Sequence, residues 1–239
     1  METSQKKPTI SIIIPTYQHA DELPLCLASI FEQTFRDYEV IVVNDGSTDG
    51  TREALAPFMD RIAYVEQVNR GGNAARNRGW ADAKGDFLLF CDADVIMRPD
   101  MLVRMLETLR QQPDASYAYS SFRFGWKKFK LWPFDAARLR KMNYIHTTSL
   151  IRREHFPGFD EKIKRLQDWD LWLTMLEQGH EGVWVPEYLF QCLPHKGGIS
   201  LWVPKIFNAI PWKAFGIRMK NLEKLEEARR VMKEKHHLE

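Results

Sequence analysis

Two aspartates spaced one residue apart, Asp92 and Asp94, directly follow the short apolar segment 87–90. The apolar segment predicts a strand buried on both faces, as in a parallel sheet covered by helices. The two carboxylates would then lie at the sheet edge where open α/β sheets bind ligands. Paired carboxylates in this place favour a hard divalent cation, which in turn indicates a phosphate-bearing substrate. The alternative interpretation is an aspartate-rich turn that ends the strand.

Two further strands are predicted to end in polar loops. Segment 9–14 runs into the loop 15–17, and segment 39–43 stops just before Asp45. Because parallel strands end at the same sheet edge, we expect these loops to lie beside the two aspartates. Asp45 could accept hydrogen bonds from a base or a ribose hydroxyl, and the glycine that follows it would let a ligand approach the backbone. The alternative is that this segment is an isolated turn in which Asp45 caps backbone groups.

The segment 69–77 contains a glycine pair, Gly71 and Gly72, that opens a predicted helix. Such a pair can present backbone N–H groups to an anion. Its glycine spacing differs from the dinucleotide-binding fingerprint, and the Gly-Lys-Ser/Thr ending of a Walker loop is missing. Arg76 lies one turn into the helix, either as part of this site or as a solvent-exposed arginine.

Strand and helix patterns alternate through the first half of the chain, which predicts an α/β fold with a mostly parallel central sheet flanked by helices. The second half is less regular. Segment 125–140 is basic and aromatic and is predicted to be a mobile loop, whereas 168–178 has the pattern of an amphipathic helix. Short strands are predicted over 146–151 and 183–185. With no linker-like segment and no repeat, we expect one domain over 1–200 and a C-terminal aromatic and helical tail over 201–239.

Bulk composition excludes several classes of protein. The net charge of +2 gives no general reason to expect nucleic-acid binding, and no segment approaches the roughly 18 apolar residues of a transmembrane helix. The three cysteines are far apart, without metal-type spacing, which suits a reducing cytosol better than a disulfide framework. The polar N-terminus lacks the apolar core of a signal peptide. We therefore expect a cytoplasmic protein that binds no nucleic acid.

In order and spacing, these motifs resemble those of family 2 glycosyltransferases with the GT-A fold, over about residues 9–200. The resemblance implies an inverting, metal-dependent glycosyltransferase of the hexosyltransferase type. It would move a sugar from a nucleotide-sugar donor, with UDP the expected carrier, to a hydroxyl of a glycan or lipid-linked acceptor in cell-surface polysaccharide synthesis. The donor half would cover about 8–115, and the acceptor and catalytic half about 116–200. The implied donor-nucleotide contacts are Pro15, Thr16, Tyr17, Asp45, Asn69, Arg76 and Asp92.

The same resemblance assigns a metal site and a catalytic base. Asp94 and His195 would bind Mn²⁺ or Mg²⁺ bridging the diphosphate, and Asp168 matches the family's general base. Gln167 departs from the family pattern, which usually has glutamate there. A single candidate base favours one in-line displacement with inversion, because a double displacement would also need a nucleophile. Asp170 is the alternative base, or else a first-turn acid favoured by the helix dipole.

Other functions and roles stay open on the sequence. The chain could be an inactive nucleotide- or glycan-binding scaffold, for which Gln167 is the only indication. It could also be a sugar nucleotidyltransferase, although the first strand lacks the glycine-rich basic loop such enzymes usually need. Segment 201–218 either contacts a membrane surface peripherally, at the inner face, or packs on the domain or a second subunit. His236 and His237 have no partner spacing, and we predict no role for them.

Overall fold

Strands and helices alternate through residues 10–111, as predicted for an α/β fold. The structure is a computed structural model that describes residues 7–194 and 220–238. The strands within these residues are β1 Ile10–Thr16, β2 Tyr38–Asn44, β3 Ala63–Glu66, β4 Phe87–Phe90, β5 Val95–Met97, β6 Tyr117–Phe124, β7 Lys127–Phe129, β8 Leu150–Arg152 and β9 Gly182–Cys192. The helices are α1 Leu23–Phe31, α2 Thr51–Ala54, α3 Gly72–Asp82, α4 Met101–Gln111, α5 Ala136–Lys141, α6 Gln167–Glu177 and α7 Lys220–Lys235.

In the described residues all strands join one sheet in the order β3-β2-β1-β4-β8-β6-β9-β5, with β7 paired to β6. Strands β3, β2, β1 and β4 are parallel, and the antiparallel pairs involve the strands that follow β4 in sequence. Side chains of β1 alternate between two cores: Ile12 and Ile14 face α1 and α4, and Ile13 faces α3 and α6. The predicted fold, a central sheet flanked by helices and followed by a C-terminal helix, is confirmed.

Helix α3 lies close against the sheet because Gly79 has no side chain. A Cβ atom at this position would be 2.5 Å from Cγ2 of Ile13 and 3.1 Å from Cγ2 of Val43. Distances this short leave no room for a methyl group, so any larger residue would push the helix outward. The contact fixes α3 over β1 and β2, and it thereby places Arg76, one turn earlier, at the edge of the sheet.

Segment 125–140, predicted to be a mobile loop, instead forms β7 and most of α5. The rings of Phe122 and Phe129 stack across the β6–β7 hairpin with their centroids 4.9 Å apart. Asp135 begins α5 by accepting a hydrogen bond from the N–H of Arg138, a common helix cap. The sequence pattern did not predict the hairpin or the helix cap, because the segment was interpreted from its basic and aromatic composition alone.

Strand β9 is longer than the short strand 183–185 that the sequence predicts, because it continues past Pro186. Proline cannot donate a hydrogen bond to a neighbouring strand and is therefore a usual sign that a strand ends. Here the register of β9 against β6 shifts between Ser120 and Ser121, whose partners are Val185 and Tyr188. This irregularity leaves Pro186 outside the ladder, and the strand resumes beyond it.

Helix α7 packs on the second core. Met232 is fully buried and belongs to the same cluster as Trp169 and Trp172 of α6. Segment 201–218, predicted to contact either a membrane or the protein itself, lies outside the described residues. Among the described residues, no helix has both the length and the apolar character needed to cross a membrane. The predicted limits of the two halves and of the tail stay predictions.

Candidate active site

A cavity of about 750 Å³ opens at the sheet edge, and both predicted aspartates line it. Acids, aromatic residues and cations are prominent in its lining. The acids are Asp92 and Asp94, the aromatic residues are Phe122, Phe124, Phe129 and Trp169, and the cations are Lys141, Arg229 and Lys233. A pocket with apolar walls and a few charged groups is the usual form of a small-molecule site.

Arg76 and Asp92 form a buried ion pair beside this cavity. Nη2 of Arg76 lies 2.6 Å from Oδ1 of Asp92, and only 7% of the arginine side chain is exposed. Arg76 is therefore not a solvent-exposed arginine. Burial is the largest single influence on the pKa of Asp92 and would raise it, but the charge and hydrogen bond of Arg76, together with nearby histidines, lower it overall. Asp92 is consequently a carboxylate with one oxygen committed to Arg76.

Asp45 holds the glycine-pair loop in place. Its carboxylate accepts hydrogen bonds from Nε2 of Gln67 at 2.7 Å, from the N–H of Arg70 at 2.9 Å and from the N–H of Gly71 at 2.8 Å. A carboxylate can accept about four hydrogen bonds, so one acceptor position remains for a ligand. The structure thus adds a positioning role to the ligand contact predicted from the sequence.

The other predicted nucleotide contacts differ in exposure. Thr16 is 2% exposed, and its hydroxyl has no hydrogen-bond partner among the described residues. Buried polar groups are nearly always paired, so this hydroxyl suits a contact with a bound ligand. Pro15 is half-buried, whereas Tyr17 and Asn69 are exposed. None of these four residues lines the 750 Å³ cavity, although Thr16 and Asp45 lie side by side, since the N–H of Asp45 donates to the carbonyl of Thr16.

Asp168 lies in the first turn of α6 and is partly exposed. Its neighbours Leu166 and Trp169 both line the cavity. Leu166 has a φ of 60°, in the left-handed region that leucine rarely adopts, and such strain is often found at functional sites. The indole N–H groups of Trp169 and Trp172 donate to backbone carbonyls, at 2.6 and 2.9 Å, which fixes the orientation of α6.

Asp170, the alternative base, is held inside the protein. It is 3% exposed, and its Oδ1 lies 2.8 Å from Nε2 of His236 and 2.7 Å from Nζ of Lys235. His236 also contacts Glu177 through Nδ1, at 2.8 Å. The carboxylate of Asp170 therefore anchors α7 to α6, which leaves Asp168 as the more accessible acid of the pair. The prediction that His236 has no role is wrong.

His146 is a site residue for which the sequence predicts no role. Its only signal in the sequence is its position at the start of a predicted strand. It lines the cavity, and its Nδ1 accepts a hydrogen bond from the N–H of Thr148 at 3.0 Å. Burial lowers the pKa of His146, although the charges of Asp92 and Asp168 oppose that effect. The lowered pKa favours a neutral imidazole, and since Nδ1 accepts the N–H of Thr148 its proton is on Nε2.

The metal ligands predicted from the sequence are only partly described. Asp94 lines the cavity, and its backbone carbonyl accepts the N–H of Leu193 at 2.8 Å. His195, two residues further along, lies outside the described residues. Leu193 directly follows β9, so its hydrogen bond holds the end of this strand next to Asp94.

A protein-family model described as glycosyl transferase family 2 matches residues 11–167, which is more than half of the chain. The chain belongs to this family. The matched segment contains all the strand-end motifs described above, and it ends one residue before Asp168.

Known glycosyltransferases resemble the chain in sequence and in structure. Glycosyltransferase GlyA of Streptococcus pneumoniae serotype 4 is 43% identical over 88 residues, which cover 36% of this chain and 13% of GlyA. The structure of S. aureus TarS in complex with UDP aligns with a TM-score of 0.66 at 18% identity, covering 78% of this chain and 60% of TarS. The mannosyltransferase PcManGT from Pyrobaculum calidifontis, in complex with GDP-Man and Mn²⁺, aligns with a TM-score of 0.62 at 22% identity, covering 82% and 60%. The chain spans less than two thirds of each, and the structural likeness shows the fold alone.

The donor set of this family 2 glycosyltransferase suits a hard divalent ion. No group of three or more His, Cys, Asp or Glu side chains close enough to hold a metal occurs in residues 7–194 and 220–238. Mg²⁺ and similar ions are often held by one or two carboxylates together with substrate phosphates and water. Asp94 can supply such a carboxylate at the cavity wall, so the residues present fit the ion.

The pairing of His236 predicts a stability that depends on pH. Burial alone would lower the pKa of His236, but its hydrogen bonds to Asp170 and Glu177 outweigh burial and raise it. An unfolded histidine has a pKa of about 6.5. The stabilisation is therefore complete below that pH, and it is lost as the pH rises through the higher pKa of the folded state.

We expect His236→Gln to lower the free energy of unfolding by about 1.5–3 kcal/mol at pH 6, because a hydrogen bond to a charged group is lost. The difference from the wild type should shrink at pH 8.5. Urea unfolding at the two pH values measures both effects, and His237→Gln, on the exposed neighbouring residue, is the control. An effect of equal size at both pH values would contradict a charged His236.

Proposed function

We propose that this family 2 glycosyltransferase transfers a sugar from a nucleotide-sugar donor to a hydroxyl of a glycan or lipid-linked acceptor, with inversion and with a divalent metal ion. The observation that carries the proposal is the meeting of the strand-end acids and the start of α6 at one cavity. UDP is the carrier we expect, and the fold also accommodates a GDP-sugar, as the PcManGT complex illustrates. The process we propose is cell-surface polysaccharide synthesis.

The donor would lie along the ends of β1, β2 and β4. The free hydroxyl of Thr16 and the remaining acceptor position of Asp45 would hold the nucleoside. Asp92, oriented by Arg76, would contact the ribose. Asp94 and His195 would hold the metal ion, which when bound neutralises the charge that develops on the leaving diphosphate.

Asp168 would act as the general base. It would accept the proton of the acceptor hydroxyl while that oxygen forms a bond to the anomeric carbon, and the bond from this carbon to the diphosphate oxygen would break with its electron pair. One displacement from the face opposite the leaving group inverts the configuration. Asp170 is unsuited to this role, because Lys235 and His236 already occupy its buried carboxylate.

A panel of UDP, dTDP, GDP and CMP, with and without Mn²⁺, tests the donor assignment by thermal unfolding. At 100 times its dissociation constant a ligand stabilises by about 2.7 kcal/mol, which raises the melting temperature of a chain of this size by about 5–10 °C. We expect such a shift for one nucleoside diphosphate, larger with Mn²⁺ than without it. If no nucleotide shifts the melting temperature, the donor site is misassigned.

Turnover separates the alternatives. Release of a nucleoside diphosphate from a nucleotide sugar supports glycosyl transfer, whereas pyrophosphate release from a nucleoside triphosphate would identify a nucleotidyltransferase. A chain that binds nucleotide without turnover would be a scaffold.

A cytoplasmic location, and peripheral contact of segment 201–218 with the inner face of the membrane, stay predictions.

A further inference from the structure

Helix α7 contributes two cations to the active-site cavity. Arg229 and Lys233 line the same space as Asp92 and Asp94, and Lys141 at the end of α5 is a third cationic lining residue. None of these cations belongs to a motif that the sequence singled out. They come from the second half and the C-terminal part of the chain, whereas the parallel strands that are proposed to hold the donor lie in the first half of the sequence.

The position of the two α7 cations is fixed by the anchoring contacts of that helix. Residues four apart lie on one helical face, so Arg229 and Lys233 share a face, and His236 continues it by one further turn. Met232 is fully buried, and His236 is held by Asp170 and Glu177. The contacts that dock α7 on α6 therefore also determine which of its side chains meet the cavity.

The chemistry of this group of side chains favours a phosphate. The guanidinium group of Arg229 presents paired donors that match phosphate oxygens, and Lys233 and Lys141 add two further positive charges. A phosphate monoester carries about −1.5 to −2 charges near neutral pH. Its charge therefore matches a group of several cations better than the single charge of a carboxylate ligand would. The aromatic rings of Phe122, Phe129 and Trp169 line the rest of the cavity and suit an apolar or saccharide body.

The cavity adjoins both the proposed base and the proposed metal ligand, because Trp169, which follows Asp168, and the acids Asp92 and Asp94 line it together with Arg229 and Lys233. The proposed nucleoside contacts Thr16 and Asp45 do not line it, which favours the acceptor as the partner of the two α7 cations. Resting on the proposed glycosyl transfer, we propose that Arg229 and Lys233 bind a phosphate group of the acceptor. The acceptor is then a phosphorylated saccharide or a saccharide on a lipid phosphate, and not a neutral glycan.

Two phosphate probes and their neutral counterparts test this proposal by calorimetry on the full chain, with and without UDP and Mn²⁺. The probes are N-acetylglucosamine 1-phosphate with N-acetylglucosamine, and farnesyl phosphate with farnesol. We expect at least one phosphate probe to bind at least tenfold more tightly than its neutral counterpart. The pair that shows this difference tells a phosphosugar from a lipid phosphate.

Adjacent arginines provide a matched control. Arg229→Gln should weaken binding of the phosphate probe about tenfold, since one charge-assisted interaction is lost. Arg230→Gln should leave it unchanged, because Arg230 is exposed and pairs with Glu227 on the same helix. Arg229→Lys should retain part of the affinity, and circular dichroism of each variant checks that α7 stays folded.

Three results would overturn the proposal: equal binding of phosphate and neutral probes, phosphate binding that is unaffected by Arg229→Gln, or a loss of UDP affinity in place of probe affinity. The last result would assign Arg229 to the donor diphosphate. Failure of the proposed function gives a different result. The wild type would then bind no nucleotide, independently of whether the phosphate probes bind.

Discussion

Asp168→Asn should lower kcat by about 10²–10⁴-fold, the range that a general base contributes, while nucleotide affinity and stability stay close to wild-type values. Asparagine keeps the size of the side chain and removes its ability to take a proton. Asp168 is partly exposed in the first turn of α6, and its Oδ1 accepts the N–H of Trp169 at 3.0 Å, a contact that the amide oxygen of asparagine can keep. Steady-state transfer kinetics with an acceptor, together with calorimetric titration of the nucleotide, measure the two parts of this result.

Asp170→Asn is the matched comparison, two residues away on the same helix. It should lower the free energy of unfolding by about 1.5–3 kcal/mol, because the buried carboxylate that receives Lys235 and His236 loses its charge. Transfer measured well below the melting temperature should change far less than in Asp168→Asn. The base assignment would move to Asp170 if the losses were reversed, with kcat falling in Asp170→Asn and surviving in Asp168→Asn.

Asp94→Asn should abolish the response to metal. We expect the additional thermal stabilisation that Mn²⁺ gives to nucleotide binding to disappear, and transfer to fall by about 10³-fold, since Lewis-acid stabilisation of the leaving group contributes several kcal/mol. Titration of Mn²⁺ in the thermal-shift and transfer experiments measures both. Asp82→Asn, at the exposed end of α3 where Asp82 pairs with Arg78, is the control and should behave as the wild type.

Asp92→Asn distinguishes the two acids of the motif. Arg76 is almost fully buried, so removing the charge of Asp92 leaves a buried cation without its partner and should lower stability. Asp94→Asn is expected to act on the metal response, so the two variants are compared by stability and by metal response together. A metal response that persists in Asp94→Asn and vanishes in Asp92→Asn would reverse the two assignments.

The strand-end part of the site could be predicted because its signals are local. Each motif there directly follows an apolar strand, and parallel strands end at one edge, so the loop 15–17, Asp45 and Asp92 are brought together by topology. The predicted strand 87–90 coincides with β4, and the predicted helix 73–83 differs from α3 by one residue at each end. The role of Asp45 in holding the Arg70–Gly71 backbone was not predictable, since it depends on contacts 25 and 26 residues away.

The part of the site that follows β4 in sequence could be predicted far less completely. His146 comes under the charge of Asp168 only in the folded chain, and no periodicity in the sequence indicates that interaction. The pairing of Asp170 with His236 spans 66 residues and involves a helix that the sequence marks only as charged. Strand β9 was underestimated because Pro186 is locally a strand-ending signal, and only the register shift against β6 accommodates it.

The ion pairs between α6 and α7 have a consequence for how such chains can diverge. Asp170 is a buried charge whose partners lie on the last helix, so losing that helix leaves the aspartate without a counter-ion inside the protein. An aspartate at this position and a C-terminal helix ending in lysine and histidine should therefore be inherited together. In relatives that lack this helix, a neutral or apolar residue is expected in its place, and the two features should be gained and lost as one unit.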